Sequence, residues 1–138
     1  MIFQIALLYF VNMGCISQQR IKRSEARTNL ATEYLKEGNA TDAITTLEMA
    51  VELNRKNAKA HEKLALAYSS KGAYELADKS FRRSLKLEDS PETHNNYGLM
   101  LLYQGQYLDA IEHFEYNVAG SYVGEKTPVW VYDYQEDE

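Results

Sequence analysis

The 138 residues hold one cysteine, two prolines and one tryptophan. A lone Cys15 excludes an internal disulfide. So little proline, with only seven glycines, excludes a collagen-like or proline-rich low-complexity chain. Positive charge is not in excess either: 15 Lys and Arg stand against 20 Asp and Glu, so no basic surface advertises nucleic acid. Part of the net charge of −5 sits after Ala119, where Glu125, Asp133, Glu136, Asp137 and Glu138 face Lys126 alone. No apolar run approaches the roughly 20 residues needed to cross a bilayer. What is present, 45% hydrophobic and 25% charged residues, is enough to bury one helix-rich core.

The two ends differ from the middle. Residues 1–14, MIFQIALLYFVNMG, carry no charged side chain and stop at Gly14-Cys15, after which a polar linker at 15–23 brings Arg20, Lys22 and Arg23. This is the profile of a short export signal. It resembles a bacterial lipoprotein cleavage site, although the first positive charge is Arg20 and Asn12 stands where leucine is usual. The resemblance implies lipidation of Cys15. Because Ile16 rather than Asp follows that cysteine, it also implies the periplasmic face of the outer membrane. The alternative is an unprocessed apolar helix over 1–14 in a soluble, cytoplasmic protein. At the other end, residues 120–138 read as a frayed tail or a shortened fourth repeat, with Trp130, Tyr132 and Tyr134 alternating with polar and β-branched residues.

Between the ends the sequence repeats. Leu30, Ala31, Tyr34, Gly38, Ala43, Leu47 and Ala50 superimpose on Leu64, Ala65, Tyr68, Gly72, Ala77, Phe81 and Ser84, and again on Tyr97, Gly98, Leu101, Gly105, Ala110, Phe114 and Asn117. The glycines are separated by 34 and then 33 residues. Large residues four apart share a helix face, small residues let antiparallel helices approach, and each glycine ends a first helix where a left-handed backbone is needed. The expected fold is all-α, six helices near 24–37, 40–53, 58–71, 74–87, 92–104 and 107–119. They pair into hairpins over 24–57, 58–90 and 91–119. Leu30, Leu64 and Tyr97 are expected in the hairpin cores, with Leu47, Phe81 and Phe114 as knobs from the second helices. The pattern resembles the tetratricopeptide repeat and implies an α-solenoid of about three repeats over 24–119.

First helices of such a stack line a concave face where partners bind. Projected onto it are Glu25, Thr28, Thr32, Leu35 and Lys36, then Lys59, Glu62, Leu66, Ser69 and Ser70, then Glu92, Asn95, Leu99, Leu102 and Tyr103. The surface becomes more apolar toward the third repeat, so the expected partner groove is Leu35, Leu66, Asn95, Leu99, Leu102 and Tyr103. Thr28, Glu62 and Asn95 occupy the positions where some tetratricopeptide proteins carry a Lys/Asn/Arg clamp for a C-terminal carboxylate, so that clamp is absent. His61 and His94 fall at one repeat position and His113 beside Phe114, with no metal-ligand spacing and no nucleophile nearby. They are expected to pack between helices. No catalytic residue, cofactor or metal is therefore expected.

The export signal, the basic linker and the run Ala26, Leu30, Ala31, Tyr34, Leu35, Gly38 together are similar to the pilotin-type type IV pilus biogenesis lipoproteins. Asn95 to Gly98, Gly105, Tyr107 and Ala110 fit the same family, and Ser121-Tyr122 stands near where its next repeat begins. That resemblance implies a non-enzymatic, lipid-anchored outer-membrane protein. Its partners would be secretin subunits or other pilus-assembly components, whose localisation and assembly it would promote. The family usually has about six repeats, against three here. The other reading is a soluble repeat subunit of a different complex.

Overall fold

A computed structural model describes the backbone of residues 2–119 and the side chains of residues 17–116. Six helices follow in order: α1 (Ile2–Lys36), α2 (Ala40–Leu53), α3 (Ala58–Ser70), α4 (Tyr74–Leu87), α5 (Pro91–Tyr103) and α6 (Tyr107–Ala119). The five later helices lie where the repeat spacing predicts them. α1 differs: it runs back without a break through residues 15–23, expected as a linker, because no proline interrupts it and Gly14 is accommodated within the helix. The tail at 120–138, with its aromatic residues, lies outside the described residues, as does the side chain of Asn117.

One turn is used three times. Gly38, Gly72 and Gly105 have φ of +75°, +73° and +74°, where a side chain would strain the backbone. The glycine N–H reaches back three residues, and the next N–H reaches back five, at Asn39 to Tyr34, Ala73 to Tyr68 and Gln106 to Leu101, all within 2.8–2.9 Å. These bonds satisfy the last carbonyls of α1, α3 and α5 and return the chain antiparallel. Asn39 and Asn57 then cap α2 and α3 through their side chains, and Pro91 occupies the first turn of α5.

The hairpins are α1·α2, α3·α4 and α5·α6. First helices also touch one another, α1 with α3 and α3 with α5, whereas second helices do not, which makes the first-helix layer the inner, concave face. Two core clusters result, one around Ala31, Leu47, Ala60 and Leu64 and one around Ala65, Phe81, Tyr97 and Leu101. Phe81 stacks on Tyr97 with centroids 5.0 Å apart, tying the second hairpin to the third. Leu47 and Phe81 are fully buried as the knob pattern requires, and Phe114 packs partly buried against the second cluster. Leu30 departs from expectation and is 48% exposed. Its position in later repeats is covered by the preceding hairpin, and no hairpin precedes it among the described residues.

Candidate functional site

The concave face begins with residues whose polar groups are already used. Thr28 is buried; its hydroxyl donates to the Ser24 carbonyl at 2.9 Å and accepts from Asn57 Nδ2 at 3.2 Å. Ser24 in turn donates to the Ala50 carbonyl at 2.8 Å. This network holds the α2–α3 junction on α1, so Thr28 is a joint and not a groove residue. Glu62 is consumed in the same way. It accepts from Asn96 Nδ2 at 2.7 Å and from Lys63 Nζ at 3.3 Å, and Lys63 also bonds Glu92 at 3.0 Å. Burial pushes the Lys63 pKa down, but the bond it donates to Glu92 and the charge of Glu62 outweigh this and hold the pKa above the usual value. The same partner holds the Glu92 carboxyl below its usual range. A buried charge without such partners would be costly, so this cluster is cement between α3 and α5.

The apolar part of the face grows toward the third repeat, while Glu25, Lys36, Lys59 and Ser70 keep the earlier part polar and exposed. Leu35 packs half-buried on the first core cluster, and Leu66 packs half-buried on the second. Asn95 is half-buried on α5. Leu99, Leu102 and Tyr103 are 41%, 44% and 84% exposed. Three large apolar side chains uncovered on one helix of a small domain form a surface that another molecule can dry. Cys15 lies in α1, and its side chain is outside the described residues.

The histidines pack between helices. His61 Nε2 lies 3.2 Å from the Arg55 carbonyl, and His94 Nε2 lies 2.9 Å from Asp89, so both tie a first helix to the junction before it. His113 meets His94 across the third hairpin. Sequence reasoning missed this pairing, which depends on the register of α5 against α6, and the Glu62 cluster, which depends on how α3 and α5 of neighbouring hairpins meet. Among the described residues no cluster of three or more His, Cys, Asp or Glu side chains is arranged to hold a metal ion, and no helix is long and apolar enough to cross a membrane.

Comparison with known proteins agrees with this architecture. A TPR repeat model matches residues 31–72, and a tetratricopeptide repeat model matches 58–90. The type IV pilus assembly protein PilF of Pseudomonas aeruginosa is 32% identical over 110 residues, covering 72% of this chain and 44% of PilF. An uncharacterised protein of Haemophilus influenzae is 28% identical over 112 residues, covering 77% of this chain and 63% of that protein. The chain thus spans about half the length of the curated relatives it matches. The solved structure of P. aeruginosa PilF superimposes with a TM-score of 0.66 at 30% identity, over 69% of this chain and 43% of PilF. The second repeat domain of Spaghetti (RPAP3), bound to the HSP90 peptide SRMEEVD, superimposes with a TM-score of 0.68 at 21% identity. It covers 74% of this chain and 95% of that domain, a likeness of fold.

Proposed function

The chain is a tetratricopeptide-repeat protein similar to the pilus assembly protein PilF, and on that premise we propose that it is a non-catalytic assembly factor for type IV pili. In this reading Cys15 is acylated and tethers the chain to the periplasmic face of the outer membrane, and the concave face captures a segment of a secretin subunit. The observation that carries the binding half is the uncovered row Leu99, Leu102 and Tyr103 on α5, beside half-buried Leu66. An apolar anchor of an extended or helical segment buries against this row, and Asn95 hydrogen-bonds its backbone. The pilus role is supported by the 32% identity to PilF.

Two experiments test the halves separately. Leu99→Glu with Leu102→Glu places charge where the anchor must dry the surface and weakens binding to purified secretin subunits by about tenfold or more. Both side chains are exposed, so the helical melting curve stays near that of the wild type; undiminished binding rejects the groove. Intact mass and membrane fractionation of the wild type beside Cys15→Ser test the tether. A mature chain starting at acylated Cys15 in the outer membrane, lost in the variant, supports it. An unprocessed soluble product contradicts it.

A further inference from the structure

Far from α5, positive charge collects at the other end of the stack. Arg20, Arg23 and Arg27 recur at i, i+3 and i+7 on α1, and with Met49, Glu52 and Leu53 of α2 they line one shallow cavity. A second cavity is lined by Ser17, Arg20, Ile21 and the run from Glu52 to Lys56, which brings in Arg55 and Lys56 of the α2–α3 junction. Arg20 borders both, so two parts of the chain build one basic rim, with exposed Lys22 beside it on α1. The carboxylates in the neighbourhood are Glu52, which borders both cavities, and Glu25 on α1. Among the described residues none of the six cations is in a salt bridge. Arg20 is held by the Glu52 carbonyl at 3.2 Å and Arg27 by the Met49 sulfur at 3.2 Å, contacts that position a guanidinium without neutralising it. This concentration occurs in a chain of net charge −5.

We propose that this basic end is a docking surface for an anionic lipid bilayer. The proposal rests on the reading of residues 1–15 as the membrane-directed end of the chain. At a rise of about 1.5 Å per residue, Arg20 and Arg23 sit about 8 and 12 Å along α1 from Cys15, near the Debye length of about 8 Å over which a charged surface is felt. The charges therefore lie close enough to act on the surface the anchor enters, and Arg55 and Lys56 reach the same level from the α2–α3 turn. Acyl chains hold the chain end in the bilayer without fixing its orientation, and a basic patch adds attraction of the protein's own surface to an anionic one. The patch also orients the stack, holding the first hairpin at the membrane and leaving α5 free for its partner.

The test uses the 138-residue chain carrying Cys15→Ser, so that acyl chains do not mask the charge effect. It measures co-sedimentation with phosphatidylcholine vesicles and with vesicles containing phosphatidylglycerol. The chain should prefer the anionic vesicles, and the preference should vanish in high salt. Each cation near the surface contributes about fivefold, so Arg20→Gln, Arg23→Gln and Arg55→Gln together should cut anionic binding by about a hundredfold while leaving phosphatidylcholine binding unchanged. Circular dichroism checks that the triple variant folds; Arg23→Glu alone, at an exposed position, is the second variant. Equal partitioning into the two vesicle types overturns the proposal, as does an anionic preference that survives the substitutions. Soluble polyglutamate bound as tightly as the anionic vesicles reassigns the surface to an acidic polypeptide. Intact mass of the wild type reports separately on acylation, so failure of the lipoprotein reading is distinguishable from failure of the patch.

Discussion

His94 and His113 face each other across the third hairpin with their Nδ1 atoms 2.7 Å apart. In the neutral tautomer that donates Nε2–H to Asp89, His94 Nδ1 is the acceptor and His113 Nδ1–H the donor. Tyr116 stacks on His94 with centroids 3.8 Å apart and also donates to Asp89, while Tyr97 tilts against His113 at 4.3 Å.

A pH dependence follows. Burial, and then the adjoining His94, push His113 below its ordinary 6.5, with Arg82 acting the same way and Glu112 and Asp109 opposing. Burial pushes His61 down as well. A histidine that is harder to protonate when folded stabilises the fold above its unfolded pKa, and that stability is lost as pH falls. Thermal unfolding followed by circular dichroism should therefore be level from pH 6.5 into the mildly alkaline range and decline below pH 6.5. His113→Asn should flatten the decline; a profile identical to the wild type contradicts the assignment.

A hydroxyl changes sides between the first two hairpins. In the first, Ser24 of α1 donates to the Ala50 carbonyl of α2; in the second, Ser84 of α4 donates to the Ala58 carbonyl of α3 at 2.9 Å. Ser84→Ala removes this interhelical bond, while the Ala58 carbonyl keeps its bond within α3, and should cost about 0.5–1.5 kcal/mol in urea unfolding. Ala58→Ser added to it rebuilds the first hairpin's arrangement and should restore most of the loss. Failure of the double variant to recover rejects the equivalence.

Gly98 stands where the earlier repeats carry Ala31 and Ala65. A Cβ there would lie 2.8 Å from a Phe114 ring carbon. Gly98→Ala gains up to about 1 kcal/mol in helix propensity, but overpacking costs about 1–3 kcal/mol. A net loss of about 1 kcal/mol should appear in urea unfolding and be relieved by Phe114→Leu. Stabilisation by the single substitution contradicts this packing.

The repeat spacing made the helices legible because glycine at positive φ, small residues at contacts and large knobs are demanded at fixed intervals. What it left hidden depends on neighbours. Asp78 bonds Tyr97 and Ile44 packs on the cluster of Leu64, so one repeat's second helix covers the next repeat's first. Leu30 has no such cover, and Ile111, in the position of Ile44 and Asp78, is likewise 48% exposed. Thr28 and Glu62 read as groove residues because their positions point inward, yet Asn57, Lys63 and Asn96 claim them by hydrogen bonds. The apolar row on α5 was legible because no described residue competes for it.

The most direct measurement of the central claim is amide hydrogen exchange of the purified chain with and without secretin subunits. Slowed exchange over 91–103 and 58–70, absent in the Leu99→Glu, Leu102→Glu variant, is the expected result. Binding with protection confined to α2, α4 and α6, or no binding at all, contradicts capture on the concave face.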